Sequence, residues 1–515
     1  MTLLRSIATI GALTAVSRVF GFIRDVLTAA LLGAGPVADA FFVALRFPNL
    51  FRALFAEGAF SAAFVPLFVG TLEIEGREEA RRFAERILTV LTTALLGFVL
   101  VMQIAMPWAM YVIAPGFVGT PSFDLAVEFS RLTFPYLLFI SLTALLGGVL
   151  NSYNRFAAPA ATPILLNLSL IAALLSAGPL VPTLGHALAW GTTIAGIIQF
   201  VWLFVNTGRA AFWMRMPWPR LDAKVKLLLR RAGPVAFGAG VNQVNVLVDT
   251  TLASLLGTGA VSYLFYADRL NQLPYGIIGV AVSTALLPLL SRQLRSGQLD
   301  AAMHSQNRAL ELAFLLMLPA AAALMILSGP FIALLFERGA FGPAEVAATA
   351  AALTAYAFGL PGFMLVKALT PGFYAREDTI TPVKIGVASA VVHIVLSLVL
   401  MWPLRHVGIA LSTALAAWIN AGLLAIVLHR RGLLKPDARL RQRLARTVLC
   451  VVIMAAALFG LKALLGEWMS GGFVARLAGV SAMIAGGLAV FGVMVQLTGT
   501  SSLKELRQTL RGRNG

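Results

Sequence analysis

The sequence is poor in charge and nearly devoid of cysteine. Only 12% of its 515 residues are Asp, Glu, Lys or Arg, about half the share of a soluble domain, and 59% are apolar before its 46 glycines are counted. A soluble enzyme and a disordered basic chain are both excluded, because a mean hydropathy of +0.87 held along the whole length makes lipid the solvent. The single cysteine, Cys450, lies in the apolar stretch from Val448 to Leu458, so neither a disulfide framework nor a thiolate metal site is available. There is no G-x-x-x-x-G-K-[ST] loop and no H-E-x-x-H pair. No soluble stretch is large enough to hydrolyse ATP, so no enzyme is expected. Transport would have to draw on membrane potential, an ion gradient or consumption of the product downstream.

What is there is a succession of apolar runs long enough to cross about 30 Å of hydrocarbon at 1.5 Å per residue. They lie near 7–32, 37–68, 83–113, 127–152, 160–178, 183–206, 226–256, 261–290, 308–336, 345–374, 380–403, 408–428, 444–465 and 474–497, fourteen in all. Arg5 followed by Ile7 to Val16 has the profile of a signal peptide, but Arg18 and Arg24 interrupt where a cleavage site would fall. An uncleaved first helix is expected.

Cations set the orientation. With the N-terminus inside, the inner loops hold Arg77, Arg81, Arg82 and Arg86, then Arg209 to Arg231, then Arg430 to Arg446, whereas Arg338, Arg405 and Arg476 stand alone outside. Both termini are expected on the cytoplasmic side of the membrane. The pI of 10.9 reflects this topology and contact with anionic membrane lipids, so no nucleic acid partner is expected.

An internal repeat is visible. Asp25 through Phe41 and Asp249 through Phe265 share their Asp, an Ala, a Leu-Leu-Gly triplet, a second Gly and the final Phe, and Tyr153, Arg155, Thr162 and Pro163 are echoed by Tyr374, Arg376, Thr381 and Pro382. Helices 1–6 therefore resemble helices 7–12, and an even number of spans gives both halves one orientation, the parallel-repeat plan of many carriers. The expected fold is an all-α polytopic membrane protein with two six-helix lobes. The first lobe is expected at 1–208, a cytoplasmic interfacial linker at 209–224, the second lobe at 225–430, a basic linker at 431–443 and two further helices with a basic tail at 444–515.

The chemistry lies in the cations inside the spans: Arg18, Arg24, Arg46, Arg52, Arg131, Arg269, Lys367 and Lys462. Each would cost roughly 2.5–3.5 kcal/mol facing lipid, so each must line water, pair, or snorkel. Arg18 shares a helix face with Asp25, and Asp39 with Arg46, which permits a salt bridge in each case. Arg24 and Arg52 have no acid at i±3 or i±4. Pro48, between Arg46 and Arg52, should bend helix 2 and free a carbonyl, and Gly21 and Gly58 add further weak points. Lys462, Lys367 and Arg131 suit helix-tying or snorkelling roles. Arg18, Arg24, Arg52 and Arg269 describe a cationic cavity, and the planar guanidinium fork suits phosphate.

The residues Ser17-Arg18-Val19-Phe20-Gly21-Phe22-Ile23-Arg24-Asp25, Ala38-Asp39-Ala40-Phe41-Phe42, Arg46-Phe47-Pro48-Asn49-Leu50-Phe51-Arg52 and Glu57-Gly58-Ala59-Phe60-Ser61 strongly resemble the MurJ (MviN) family of lipid II flippases. Tyr266-Ala267-Asp268-Arg269-Leu270 with Leu273-Pro274 resembles its second signature. The resemblance implies the multidrug/oligosaccharidyl-lipid/polysaccharide (MOP) exporter fold, a V-shaped pair of lobes. It implies outward transport of the undecaprenyl-pyrophosphate-linked peptidoglycan precursor by alternating access, by a monomer associated with the peptidoglycan-synthesis machinery. By the same carry-over Arg18, Arg24, Arg52 and Arg269 face the pyrophosphate, with Ser17 and Asp25 beside them. Asp39 and Glu57 are cavity acids, and the last two helices house the polyprenyl tail. No organic cofactor is implied. Some relatives bind Na⁺ between helices 7, 11 and 12. Asp249 fits the helix 7 acid of that site, but His393 and Ser397 stand where oxygen ligands would be expected, and neutral imidazole is a poor ligand for a hard cation. Na⁺ and membrane potential both remain as coupling sources. A drug antiporter would need an acidic cavity, and a membrane glycosyltransferase a long outer loop. An exporter of another polyprenyl-pyrophosphate-linked oligosaccharide is the nearest alternative.

Overall fold

The structure, a computed structural model, describes the backbone of residues 3–55 and 59–500 and the side chains of these except 3–7, 51, 53–55, 59, 62, 234–242, 277 and 280. Glu57 and Gly58 lie outside the described residues. The described residues are helical apart from connecting turns and one isolated bridge between Arg338 and Phe341. Eleven helical stretches among them are long and apolar enough to cross a membrane. They coincide with the expected spans from 83–113 onward, except 226–256. The other three expected spans fall on helices that run into residues without described side chains: α1 (Leu3–Leu32), the segments α2 (Pro36–Ala44), α3 (Arg46–Phe55) and α4 (Ala59–Ile74), and α10 (Ala223–Ser254).

The chain divides into two compact units. One comprises residues 1–262 with 338–341, the other 263–337 with 342–515. The first holds α1–α4, α5 (Arg77–Ile113), α6 (Pro121–Thr133), α7 (Tyr136–Ser152), α8 (Ala157–Ser176), α9 (Leu184–Ala210) and α10. It runs past the lobe boundary expected near 225, because α10 packs on α3, α4 and α5. The turn just after α5 also closes on the end of α10, where Gly116 is required: a Cβ there would lie 2.1 Å from the carbonyl oxygen of Ser254. Its core is aromatic, with Phe60, Phe64, Phe68 and Phe83 packed against Leu145, Leu146 and Val149 of α7.

The second unit takes the body of α11 (Ala260–Arg295), α12 (Leu299–Ile326), α13 (Ser328–Phe336), α14 (Pro343–Phe358), α15 (Leu360–Tyr374), α16 (Ile380–Leu404), α17 (His406–Arg430), α18 (Ala438–Leu464), the short α19 (Gly466–Ser470) and α20 (Phe473–Leu497). The last pair packs on α12 and α13 through Leu334, Met454, Leu458, Val480 and Met483.

Several expected spans are not single helices. The run 37–68 breaks first at Leu45, three residues before Pro48, so Pro48 occupies the first turn of α3, where its missing N–H is least costly. The carbonyl four residues before it, Ala44 O, accepts from Thr133 Oγ1 at 3.4 Å. The same solution recurs. Pro107 frees the carbonyl of Gln103 and Pro135 that of Arg131, and these two residues serve each other. Arg131 Nε donates to Gln103 O at 2.9 Å, and Gln103 Nε2 donates to Arg131 O at 2.8 Å. Thr162 Oγ1 reaches Pro159 O at 2.7 Å, ahead of Pro163. In the second unit Lys462 Nζ donates to Ile326 O at 3.0 Å, the carbonyl left by Pro330. A bare carbonyl in lipid costs several kcal/mol, and these donors remove that cost. Arg131 and Lys462 are therefore helix-tying residues.

Candidate functional site

In the first unit Arg24 of α1 is held on two sides. Its Nε and Nη2 donate to Asp25 Oδ1 at 3.1 and 2.6 Å, and its Nη1 donates to Asn167 Oδ1 at 3.0 Å. Asn167, on α8, returns to α1 by donating Nδ2 to the carbonyl of Ser17 at 3.0 Å. One amide thus fixes both the guanidinium and the backbone about two helical turns before it. Gly21 lies between these contacts, and a Cβ there would come within 3.4 Å of the Asn167 amide nitrogen. Five N–H groups minus the three engaged leaves two, one on each terminal nitrogen, for a further acceptor.

Asp25 is buried and bonded to Arg24, its neighbour in sequence, in place of the Arg18 that shares its helix face. Arg18 is exposed and forms no bond among the described residues. Arg52 is half-buried, with Nε 3.4 Å from Asn49 Oδ1. The first unit therefore gathers Arg24, Asp25 and Asn167 where α1 meets α8.

Asp39 sits elsewhere in that unit and has a different occupation. Its Oδ2 accepts the Gly259 N–H at 2.5 Å, and its Oδ1 accepts the Ser262 N–H at 2.9 Å and hydroxyl at 2.5 Å. It caps the first turn of α11, where free N–H groups and the helix dipole favour an anion. The bond to Arg46 that periodicity permits is replaced by this cap.

In the second unit Arg269 of α11 lies over the Phe265 ring, its guanidinium carbon 4.8 Å from the centroid. A ring face satisfies an arginine without using its in-plane donors. His393, Ser397, Ser412 and Thr413 form a buried polar cluster between α16 and α17. Ser412 and Thr413 donate to Ile409 O at 2.8 and 3.0 Å, and Ser397 Oγ is 2.5 Å from Ser412 Oγ. Ser397 and Thr413 then offer only lone pairs to His393 Nε2, at 3.3 and 3.2 Å, so that nitrogen carries the hydrogen. Imidazole and hydroxyls already bonded to one another do not fit Na⁺, which requires several free oxygens. Asp249 is half-buried on α10, and no group of three His, Cys, Asp or Glu among the described residues could hold a metal.

Asn167 and Ser262 were not expected from the sequence. Asn167 had a signal, being a lone amide within the apolar run of α8, where an unpaired polar group is expensive.

A polytopic helical bundle with half-buried guanidinium groups and proline-broken spans fits a membrane transporter. Its fold overlaps an inward-facing multidrug resistance MATE family transporter of the MOP superfamily with a TM-score of 0.69 over 81% of this chain and 94% of the other, at 13% identity. The family model described as lipid II flippase MurJ matches residues 28–479. A relative from Rhizobium meliloti (strain 1021), named a probable lipid II flippase MurJ, is 43% identical over 522 residues, covering 99% of this chain and 97% of the relative. A solved lipid II flippase MurJ in an inward closed conformation overlaps with a TM-score of 0.80 at 25% identity, over 95% of this chain and 98% of that one. The chain belongs to the MurJ family of lipid II flippases.

Proposed function

We infer that the protein is a lipid II flippase, a multi-pass inner-membrane carrier that moves the head group of the polyprenyl-linked peptidoglycan precursor from the cytoplasmic to the outer leaflet. The observation that carries the chemistry is the Arg24 guanidinium, held by Asp25 and Asn167 with two N–H groups to spare. Arg18, Arg52 and Arg269 are read as further phosphate-facing cations, and Ser17 and Glu57 as polar neighbours. A cationic site suits a diphosphate and disfavours the cationic drugs of related antiporters. Family membership over nearly the whole chain favours lipid II over another polyprenyl diphosphate.

The tail stays in lipid while the head group exchanges water for arginines, and the break at Leu45 with Pro48, together with Gly21, gives α1 and helix 2 room to bend. The outward step transfers negative charge, and an inside-negative potential contributes about 2.3 kcal/mol per charge per 100 mV. Membrane potential is thus the preferred coupling source, since the α16–α17 donor set does not fit Na⁺. Fourteen spans, cytoplasmic termini and a monomer handing product to the synthesis machinery complete the reading.

Two experiments test it. Single cysteines on a Cys450→Ala background should react with an impermeant maleimide from outside at Gly35, Thr183 and Gly342, and not at Gln442; outside labelling at Gln442 reverses the orientation. Purified lipid-linked precursors added one at a time should rank lipid II first, and tighter binding of a precursor with a different head group would reassign the cargo.

A further inference from the structure

Between α9 and α10 the chain runs from Ala211 to Asp222 without regular structure, yet it is fastened along its length. Arg77 donates to the carbonyl of Ala211, and Glu85 Oε1 accepts the Arg215 N–H at 2.9 Å. Arg86 pairs with Asp222 at 2.5 Å, and Lys224 with Glu75 at 2.6 Å. Phe212 and Met214 are buried in the aromatic core of the first unit. With those two residues turned inward, Trp213, Arg215, Met216, Trp218, Arg220 and Leu221 are turned out, and Trp218 is 82% exposed.

This rigid strap displays two indoles, a thioether and a leucyl side chain beside two arginines. Arg215 and Arg220 pair with no acid among the described residues, because the nearby Asp222 and Glu75 are taken by Arg86 and Lys224. Arg209, Lys226, Arg230 and Arg231 are also exposed on the flanking helix ends. An apolar display of this kind would be costly in water. It leaves and re-enters two membrane helices, where indole rings prefer the headgroup level and basic side chains meet lipid phosphates.

We propose that residues 212–221 form a docking strap for anionic phospholipid headgroups of the leaflet on the N-terminal side of the membrane. Trp213, Met216, Trp218 and Leu221 enter the headgroup and upper acyl region, and Arg215 and Arg220 bind the phosphates. Charge complementarity selects the occupant, since every ionisable group the strap turns outward is cationic. The inference rests on the membrane placement argued above and not on the cargo, so lipid retention can fail while flipping stands, and the reverse.

The test uses the full chain in nanodiscs of phosphatidylethanolamine with increasing phosphatidylglycerol. Wild-type protein should retain phosphatidylglycerol selectively in native mass spectrometry, and the amides of 212–221 should gain hydrogen-exchange protection as it is added. Arg215→Gln with Arg220→Gln should weaken that retention about fivefold per arginine, with an unchanged melting temperature in zwitterionic discs because the strap's fastenings remain. Equal retention by the double variant overturns the proposal. So does a strap that stays exchange-exposed at every lipid composition, or displacement of the lipid by inorganic phosphate alone.

Discussion

The carboxylate of Asp39 in α2 accepts both the backbone N–H and the hydroxyl of Ser262 in the first turn of α11, at 2.9 and 2.5 Å. A buried anion with three donors is well satisfied, and a neutral amide in its place is not. Asp39→Asn removes the charge and sets an NH₂ against one of the donors, so a loss of about 2 kcal/mol is expected. Ser262→Ala removes one charge-assisted bond, worth about 1 kcal/mol. Thermal unfolding of the two single variants and the double should show that the losses do not add; strict additivity would mean the bond is not formed.

Asn167 is a positioning residue. Asn167→Ala leaves Arg24 in place but frees its Nη1 and the Ser17 carbonyl, so lipid II flipping should fall about tenfold or more at wild-type levels of inserted protein. Asn167→Leu, which also fills the space, should behave alike. Unchanged flipping in both variants would separate Asn167 from the site.

The pairing of Gln103 with Arg131 answers two prolines. Arg131→Ala should destabilise the protein by about 1–2 kcal/mol by leaving the Gln103 carbonyl bare, with flipping per folded molecule unaffected. Pro107→Ala restores a backbone N–H to that carbonyl, so it should rescue Arg131→Ala in a melting experiment. A Pro107→Ala background that makes no difference would contradict the carbonyl account.

Asp378, in the turn between α15 and α16, accepts from the Thr381 N–H at 2.9 Å and from Arg431 at 2.6 Å. These bonds, the Thr381 N–H foremost, hold its carboxyl well below the ordinary carboxylate range. Because the folded group is the stronger acid, its stabilisation is fully present above the ordinary carboxylate pKa of about 4 and fades as pH falls below it. The melting-temperature gap between wild type and Asp378→Asn should be constant from pH 7 to 5 and narrow toward pH 3. A gap independent of pH would show that the carboxylate charge does not matter there.

Much of this was legible in the chain. Apolar runs located the spans because hydropathy integrates over some twenty residues and is insensitive to local detail. Pro48 announced the bend in helix 2 and a freed carbonyl, but a proline does not say which neighbour will serve that carbonyl; Thr133 and Lys462 are distant in sequence from Ala44 and Ile326. Helical periodicity paired Arg18 with Asp25 because it compares residues one or two turns apart. It overlooked Arg24, whose long side chain folds back on the adjacent carboxylate. The bonds of Asp39 to Gly259 and Ser262 could not be read from the sequence, because they join residues more than two hundred positions apart.

The most direct test of the account is lipid II protection in proteoliposomes, measured with an externally added degrading enzyme, for Arg24→Ala and Arg24→Lys beside wild type. Arg24→Ala should abolish flipping while inserted protein and melting temperature stay near wild type. Arg24→Lys keeps the charge but not the paired N–H donors, so it should restore only part of the activity. Normal flipping by Arg24→Ala, or loss only because the protein disappears, would contradict the assignment of this guanidinium to the diphosphate.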